Sequence, residues 1–241
     1  MDPDKINAIG CMVPHAGYIY SGKVAAETVS CINIKDTVIM LGPNHTGYGT
    51  KFSIMTEGSW ETPLGDVKID SGLAKELLNN SNYLEEDSLA HDYEHSLEVE
   101  LPFLQYFRND FRIVPIAFMS QDFKALVAVG DEIANCVKRL GIKDSVLLIA
   151  SSDMTHYESR EEAKRKDGQA IKAILELDEA KMMERINTLN ITMCGCAPAA
   201  VMIRAAKALG AKNAKLIKYQ TSGDVTQDFD SVVGYAGVAV Y

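Results

Sequence analysis

The chain has 241 residues, 47% apolar and 24% charged, the proportions of an ordinary globular protein long enough to bury a large core. Its formal net charge is −9 with no run of Lys or Arg, which argues against nucleic acid and against an anionic membrane surface as partners. No apolar stretch approaches the roughly 18 residues of a membrane span. The opening residues 1–5 are polar and acidic, unlike a secretory leader, so a cytoplasmic location is the default expectation.

Residues 8–14 read as a short buried strand. Residues 22–33 carry Val24, Ala25, Thr28, Val29 and Ile32 at helical spacing, with Ser21 in position to cap the helix. Residues 37–42 are a continuous apolar run of strand length, as central parallel strands require. Residues 51–57 and 66–70 flank Pro63-Leu64-Gly65 and predict two antiparallel edge strands around the single tryptophan, Trp60. A helix is expected over 71–80, and another over 94–108 that Pro102 kinks or interrupts. A strand follows at 112–119, then a long amphipathic helix at 122–140 that Gly141 stops. Residues 145–150 are a second fully apolar strand. Helices at 159–176, 179–189 and 198–209 precede closing strands at 214–221 and 234–240. Strands alternating with helices predict one α/β domain over residues 1–241, its central mostly parallel sheet flanked by helices and edged by antiparallel strands.

In such sheets, ligands bind beyond the carboxyl ends of the strands. After the first strand comes Pro14-His15-Ala16-Gly17-Tyr18, and after the second Gly42-Pro43-Asn44-His45. After the strand ending at Ala150 comes Ser151-Ser152-Asp153-Met154-Thr155-His156. Three of the five histidines thus stand at strand ends. A single such histidine reads as a local structural group, whereas three at equivalent places predict a shared site. Imidazoles serve as metal ligands or as acid/base groups near neutral pH, and two of them with one anionic group make a common transition-metal set. The anionic candidates are Asp153 and Cys194.

Cys194 lies just before the helix that Pro198 opens, where unpaired backbone N–H groups favour a thiolate. Cys196 points elsewhere, and Cys11, Cys31 and Cys136 read as small buried hydrophobes. The odd number of cysteines and their spacing do not suggest a disulfide framework. His91 and His95 stand four apart in the acidic segment 91–98, either as a solvated helix start or on a shared helical face. If functional, His95 and Glu94 would orient a ligand or contact substrate. Tyr18 and Tyr20 read as pocket wall, Tyr18 within reach of a substrate. No phosphate loop or dinucleotide fingerprint is present.

Taken in order, Pro14-His15-Ala16-Gly17-Tyr18, Leu41-Gly42-Pro43-Asn44-His45, Glu94-His95-Ser96-Leu97-Glu98, Ser151-Ser152-Asp153-Met154-Thr155-His156 and Cys194-Gly195 resemble the Memo family, whose prokaryotic members are called AmmeMemoRadiSam system protein B. The resemblance spans nearly the whole chain. It implies a fold similar to class III extradiol dioxygenases of the LigB type, which hold non-haem Fe(II) with two histidines and a glutamate. Carried over by motif, His15 and His45 are the implied metal ligands, with Cys194 in place of the dioxygenase glutamate. His156 is the implied acid/base, with Asp153 beside it. A thiolate shifts metal preference toward copper or zinc and is itself oxidisable. The implied cofactor is thus Fe(II) or Cu, with Zn as a further option. The family's name implies a functional link to a radical SAM protein. Family members usually carry a short segment ahead of the first strand, so the N-terminus is expected to be trimmed or differently started.

Three functions follow as expectations. The first is a metal-dependent oxidoreductase or metal-handling protein acting on a small molecule. The second is a non-catalytic module that binds a peptide or small anion on a degenerate dioxygenase scaffold. The third, with the weakest ligand set, is a hydrolase using zinc-bound water.

Overall fold

A computed structural model describes residues 4–241; residues 1–3 of the polar opening stretch lie outside it. The elements run β1 (Gly10–Val13), α1 (Tyr18–Ser30), β2 (Thr37–Pro43), β3 (Phe52–Ile54), β4 (Ser59–Trp60), β5 (Val67–Lys68), α2 (Ser71–Asn79) and β6 (Glu85–Glu86). A 3-10 turn over Glu98–Glu100 leads into α3 (Leu101–Phe107), followed by β7 (Arg112–Phe118) and α4 (Phe123–Leu140). After a 3-10 turn at Lys143–Ser145 come β8 (Val146–Ser151), β9 (His156–Glu158), α5 (Arg160–Leu175), α6 (Glu179–Leu189), α7 (Cys196–Ala208), β10 (Ala214–Thr221), α8 (Gly223–Thr226) and β11 (Val232–Val240).

The main sheet is ordered β10-β11-β1-β8-β2-β7-β3-β6, and β9 pairs with β11. Its centre, β1-β8-β2-β7, is parallel. Both flanks turn antiparallel, at β11 against β1 and at β3 against β7. The expected α/β architecture with antiparallel edges is therefore observed. Strands β2 and β8 are buried along their whole length, as their unbroken apolar runs require. Helices cover both faces of the sheet. Helix α7 lies on β1, β2 and β8 between α4 and α6, while α1 lies on β1, β10 and β11. Among the described residues, no helix is long and apolar enough to cross a membrane.

Four local expectations are corrected. Helix α1 starts at Tyr18, four residues early, and its N-cap is Gly17; the Ser21 hydroxyl donates instead to the Ala16 carbonyl. Residues 51–57 and 66–70 do not pair with each other. Strand β3 joins β7, and β5 pairs with β4 in a separate two-stranded ribbon that closes around Gly65. Residues 94–97 are not helical, so His91 and His95 share no helix face. Pro102 sits in the first turn of α3, where its missing N–H leaves no bond unmade, and it starts a helix rather than kinking one.

Close backbone approach fixes where α1 sits. A Cβ built on Gly237 of β11 would stand 1.8 Å from the Thr28 Oγ1 of α1. That hydroxyl is held by its bond to the Val24 carbonyl at 2.7 Å. Gly237→Ala should therefore lower stability by about 1–3 kcal/mol through overpacking, seen as a drop of several degrees in Tm. An unchanged Tm would contradict this packing account.

Candidate metal centre

Strands β1, β2 and β8 end at Val13, Pro43 and Ser151, and two residues past each end stand His15, His45 and Asp153. Parallel register makes these ends neighbours: Val13 faces Ser151, and Leu41 faces Ala150. The His15 and His45 rings lie 5.3 Å apart, centroid to centroid. His95 joins them at 5.6 Å from His15 and 5.1 Å from His45, stacked on the latter. One ring nitrogen from each of the three lies within 4.8 Å of the other two. His95, expected only to support the ligands, is thus a full member of the cluster.

Each of two rings is pinned through Nδ1. His15 is buried, and its Nδ1 lies 2.8 Å from the Ser151 hydroxyl. That hydroxyl donates to the Ser96 carbonyl at 2.6 Å, so it accepts the His15 Nδ1–H and leaves Nε2 with a free lone pair. Desolvation, helped by His45 and His95, pushes the His15 pKa down to about 3, and the ring is neutral at physiological pH. Glu100, wholly buried, stands 3.2 Å behind Ser151, with its carboxyl held well above the ordinary range by desolvation.

His45 is held by Glu94, whose side chain is only 1% exposed. The carboxylate accepts the His45 backbone N–H, the His45 Nδ1–H at 2.9 Å and the Ser96 N–H at 2.9 Å. Burial opposes ionisation of Glu94, but these hydrogen bonds outweigh it and hold the pKa at about 2. The bond from Glu94 raises the His45 pKa in turn. His95 Nδ1 lies 3.6 Å from the same carboxylate, at ion-pair distance but beyond a hydrogen bond. A histidine whose Nδ1–H is tied to an oxygen, with Nε2 left over, is the usual form of a metal ligand. The residues present therefore fit a transition-metal ion.

Cys194 is next to this cluster but outside the three-atom set. Its Sγ lies 3.3 Å from His15 Nε2 and accepts the Asp153 backbone N–H at 3.2 Å. The helix-start argument for a thiolate fails here. Although α7 begins at Cys196, two residues earlier than expected, burial and then the Asp153 charge push the thiol well above its ordinary pKa. Without a metal, Cys194 is a thiol that donates to His15 Nε2. Asp153 is itself buried, accepting the backbone N–H groups of His15 at 2.9 Å and Ala16 at 3.3 Å. Desolvation raises its pKa to about 6. His156 does not hydrogen-bond to Asp153. Its Nδ1–H goes to the Thr192 carbonyl at 2.8 Å, and its backbone N–H to the Thr192 hydroxyl. The pair is coupled by charge alone, His156 drawing the Asp153 pKa down.

Tyr18 turns away from the cluster, stacking edge-on against Phe103 and donating its hydroxyl to the Val99 carbonyl at 3.0 Å. The supporting residues Ser96, Glu100 and Ser151 were not singled out in the sequence. The signal for Ser151 was available: it is the first polar residue after an apolar run. For Ser96 and Glu100 no local pattern existed, because their roles arise from the path of residues 91–100 across the strand ends.

A family model described as Memo-like protein matches residues 1–239. A MEMO1 family protein of Methanosarcina barkeri is 46% identical over 97% of this chain and 87% of its own length. MEMO1 family proteins of Methanopyrus kandleri and Methanocaldococcus jannaschii are 45% and 46% identical, over 95% and 96% of this chain and 82% and 83% of their own lengths. In fold, the chain is similar to an uncharacterized protein of Escherichia coli K12, with a TM-score of 0.65 at 12% identity over 95% of this chain and 98% of the other.

Glu94 anchors three donors, so Glu94→Gln should cost about 2–3 kcal/mol at pH 7 in the presence of EDTA. The ionised carboxylate stabilises the fold fully above its ordinary pKa of 4.5, and that stabilisation is lost as pH falls toward about 2. The stability gap between wild type and variant, read from urea midpoints, should therefore narrow steadily below pH 5. A gap of the same size at pH 7 and pH 3 would show that Glu94 is not the ionised anchor.

Proposed function

This chain belongs to the Memo-like protein family, and we propose that it is a metal-dependent oxidoreductase whose centre is the His15, His45 and His95 cluster. The observation that carries this reading is the three imidazole nitrogens within 4.8 Å of one another, two of the rings fixed through Nδ1. Imidazole donors suit Fe, Cu or Zn, and Fe(II) or Cu is the expected occupant. Such an ion would supply electron transfer between dioxygen and an electron-rich small molecule such as a catechol.

The protein's own groups do the rest. His15, neutral because it is desolvated, keeps a lone pair on Nε2 for the ion. Cys194, 3.3 Å from that nitrogen, is a fourth candidate ligand and would have to give up its proton on binding metal. His156 has committed Nδ1–H to Thr192, so Nε2 is the nitrogen left to take a proton from substrate. Asp153, with a pKa near 6, supplies negative charge to balance the imidazolium that forms.

A second reading, a non-catalytic module for a peptide or small anion, draws on one observation. The Cys194 thiol satisfies His15 Nε2, so the pocket is internally hydrogen-bonded without metal.

Elemental analysis of protein purified without air separates the two. The wild type should carry close to one equivalent of Fe or Cu, and His15→Ala and His45→Ala should carry almost none. Ser151→Ala, which frees the His15 ring to rotate, should weaken metal binding by about 10–100-fold while the melting curve stays cooperative. Metal content equal in wild type and His45→Ala would sink the oxidoreductase proposal and leave the binding module.

A further inference from the structure

Glu100 closes the 3-10 turn ahead of α3 and stands at the N-cap of that helix, yet its side chain caps nothing. It turns inward and is 1% exposed. Oε1 meets one group, the Ser151 hydroxyl at 3.2 Å, and Oε2 meets none. Glu94 shows what an ionised carboxylate needs at this depth, three N–H donors. Glu100 has no N–H donor and, among the described residues, no ion pair. A buried carboxyl left in this way keeps its proton.

The hydrogen-bonding capacity of Ser151 leads to the same place. Its single proton goes to the Ser96 carbonyl at 2.6 Å, and one lone pair takes the His15 Nδ1–H at 2.8 Å. The second lone pair is left for the acid proton of Glu100. An ionised Glu100 would have to compete for the Ser151 proton from a longer distance than the Ser96 carbonyl. Desolvation holds the Glu100 pKa well above the ordinary range, against the Ser151 hydrogen bond and with the Asp153 charge. The other titratable groups that feel Glu100 are the buried Cys11 of β1 and the Tyr18 hydroxyl of α1, and neither brings positive charge.

A neutral acid with one unsatisfied oxygen costs stability where an apolar side chain would not. Its position supplies the reason for an acid. Glu100, Ser151 and His15 form one hydrogen-bonded chain that ends at His15 Nε2, the nitrogen left for an ion. A cation held there is the counter-charge that the protein itself does not offer Glu100.

We propose that Glu100 is the charge-compensating acid of the histidine centre, neutral in the metal-free protein and ionised when His15 ligates a divalent ion. The inference rests on the reading of the cluster as a metal centre. The O–H bond of Glu100 breaks and its proton goes to bulk water. Ser151 then turns its own O–H from the Ser96 carbonyl to the carboxylate, while its lone pair keeps the His15 Nδ1–H. The product is a carboxylate–serine–histidine chain that makes the imidazole a stronger donor. Glu100 is a positioning and charge-balancing residue and touches neither ion nor substrate.

Infrared spectroscopy and proton counting on the full chain test this. EDTA-treated wild type at pH 7 should show the C=O band of a protonated carboxyl that moves when glutamate, rather than aspartate, carries ¹³C. The other buried glutamates, Glu94 and Glu179, hold N–H or cationic partners, so the band belongs to Glu100. It should disappear when Zn²⁺ is added, a readout that needs no variant, and it should be missing from Glu100→Gln. Calorimetry in buffers of different ionisation enthalpy should show about one more proton released on Zn²⁺ binding by wild type than by Glu100→Gln. Any proton lost by Cys194 cancels in that difference. The variant should bind Zn²⁺ about 10–100-fold more weakly. No glutamate acid band in metal-free wild type, a band that persists with Zn²⁺ bound, or equal proton release from the two proteins overturns the inference and leaves the metal centre standing. Failure of wild type to bind Zn²⁺, Fe(II) or Cu overturns both.

Discussion

The parallel register of β1, β8 and β2 is the constraint on which the rest of the structure depends. Hydrogen-bonded strands about 4.8 Å apart must end side by side when their registers match. Val13 faces Ser151 and Leu41 faces Ala150, so the residues that follow emerge as a row. His15, His45 and Asp153 each stand two residues beyond a strand end. Their proximity is therefore a consequence of backbone pairing, which the buried apolar runs of β2 and β8 drive. The chemistry sits where the apolar runs end, on polar residues that are themselves buried, His15, Ser151 and Asp153 among them.

Holding polar groups at such an edge requires a second layer of polar groups beneath them. Glu94 and Ser151 fill that role in opposite electrostatic ways. Glu94 is ionised, buried and stabilised by three N–H donors, and it orients His45. Ser151 is neutral, donates its hydroxyl hydrogen bond to the Ser96 carbonyl and orients His15 without charge. The result is one imidazole drawn toward protonation and another kept neutral at a centroid distance of 5.3 Å. The same residues 91–100 supply His95 to the cluster and Glu94, Ser96 and Glu100 to this layer. A single irregular segment thus supplies both a candidate ligand and its supports, which explains why it is not a regular helix. A helix over these residues would point Glu94 and Ser96 along one spacing, whereas the site needs Glu94 under His45 and the Ser96 hydroxyl donating to the Pro43 carbonyl.

This division also explains what was legible in the sequence. His15, His45 and Asp153 could be found because each marks the point where an apolar run breaks, and period and polarity are local signals. The parallel centre, the antiparallel flanks and most helices follow from the same signals. His95 reads from sequence as an outer group, since nothing local reveals that its segment crosses the strand ends. The expected helix over 94–108 failed for a related reason: tertiary hydrogen bonds from Glu94 and Ser96 override helical propensity. The expected pairing of residues 51–57 with 66–70 failed because β7 offered β3 a longer partner than β5 could. The thiolate at Cys194 failed on desolvation, which no sequence pattern measures.

Cys194 is the residue on which the ligand set turns. A centre built from His15, His45 and His95 alone leaves the proton on the Cys194 sulfur, though it must displace any proton that Glu94 favours on His45 and draw His15 Nε2 away from the thiol. A centre that adds Cys194 must expel the proton that burial and Asp153 hold on its sulfur. In return it gains a thiolate still supported by the Asp153 backbone N–H. The geometry therefore makes loss of the Cys194 proton the physical distinction between a three-histidine centre and one that includes sulfur. It ties the redox character of the site to a proton held between Cys194 and His15 rather than to the fold that carries them.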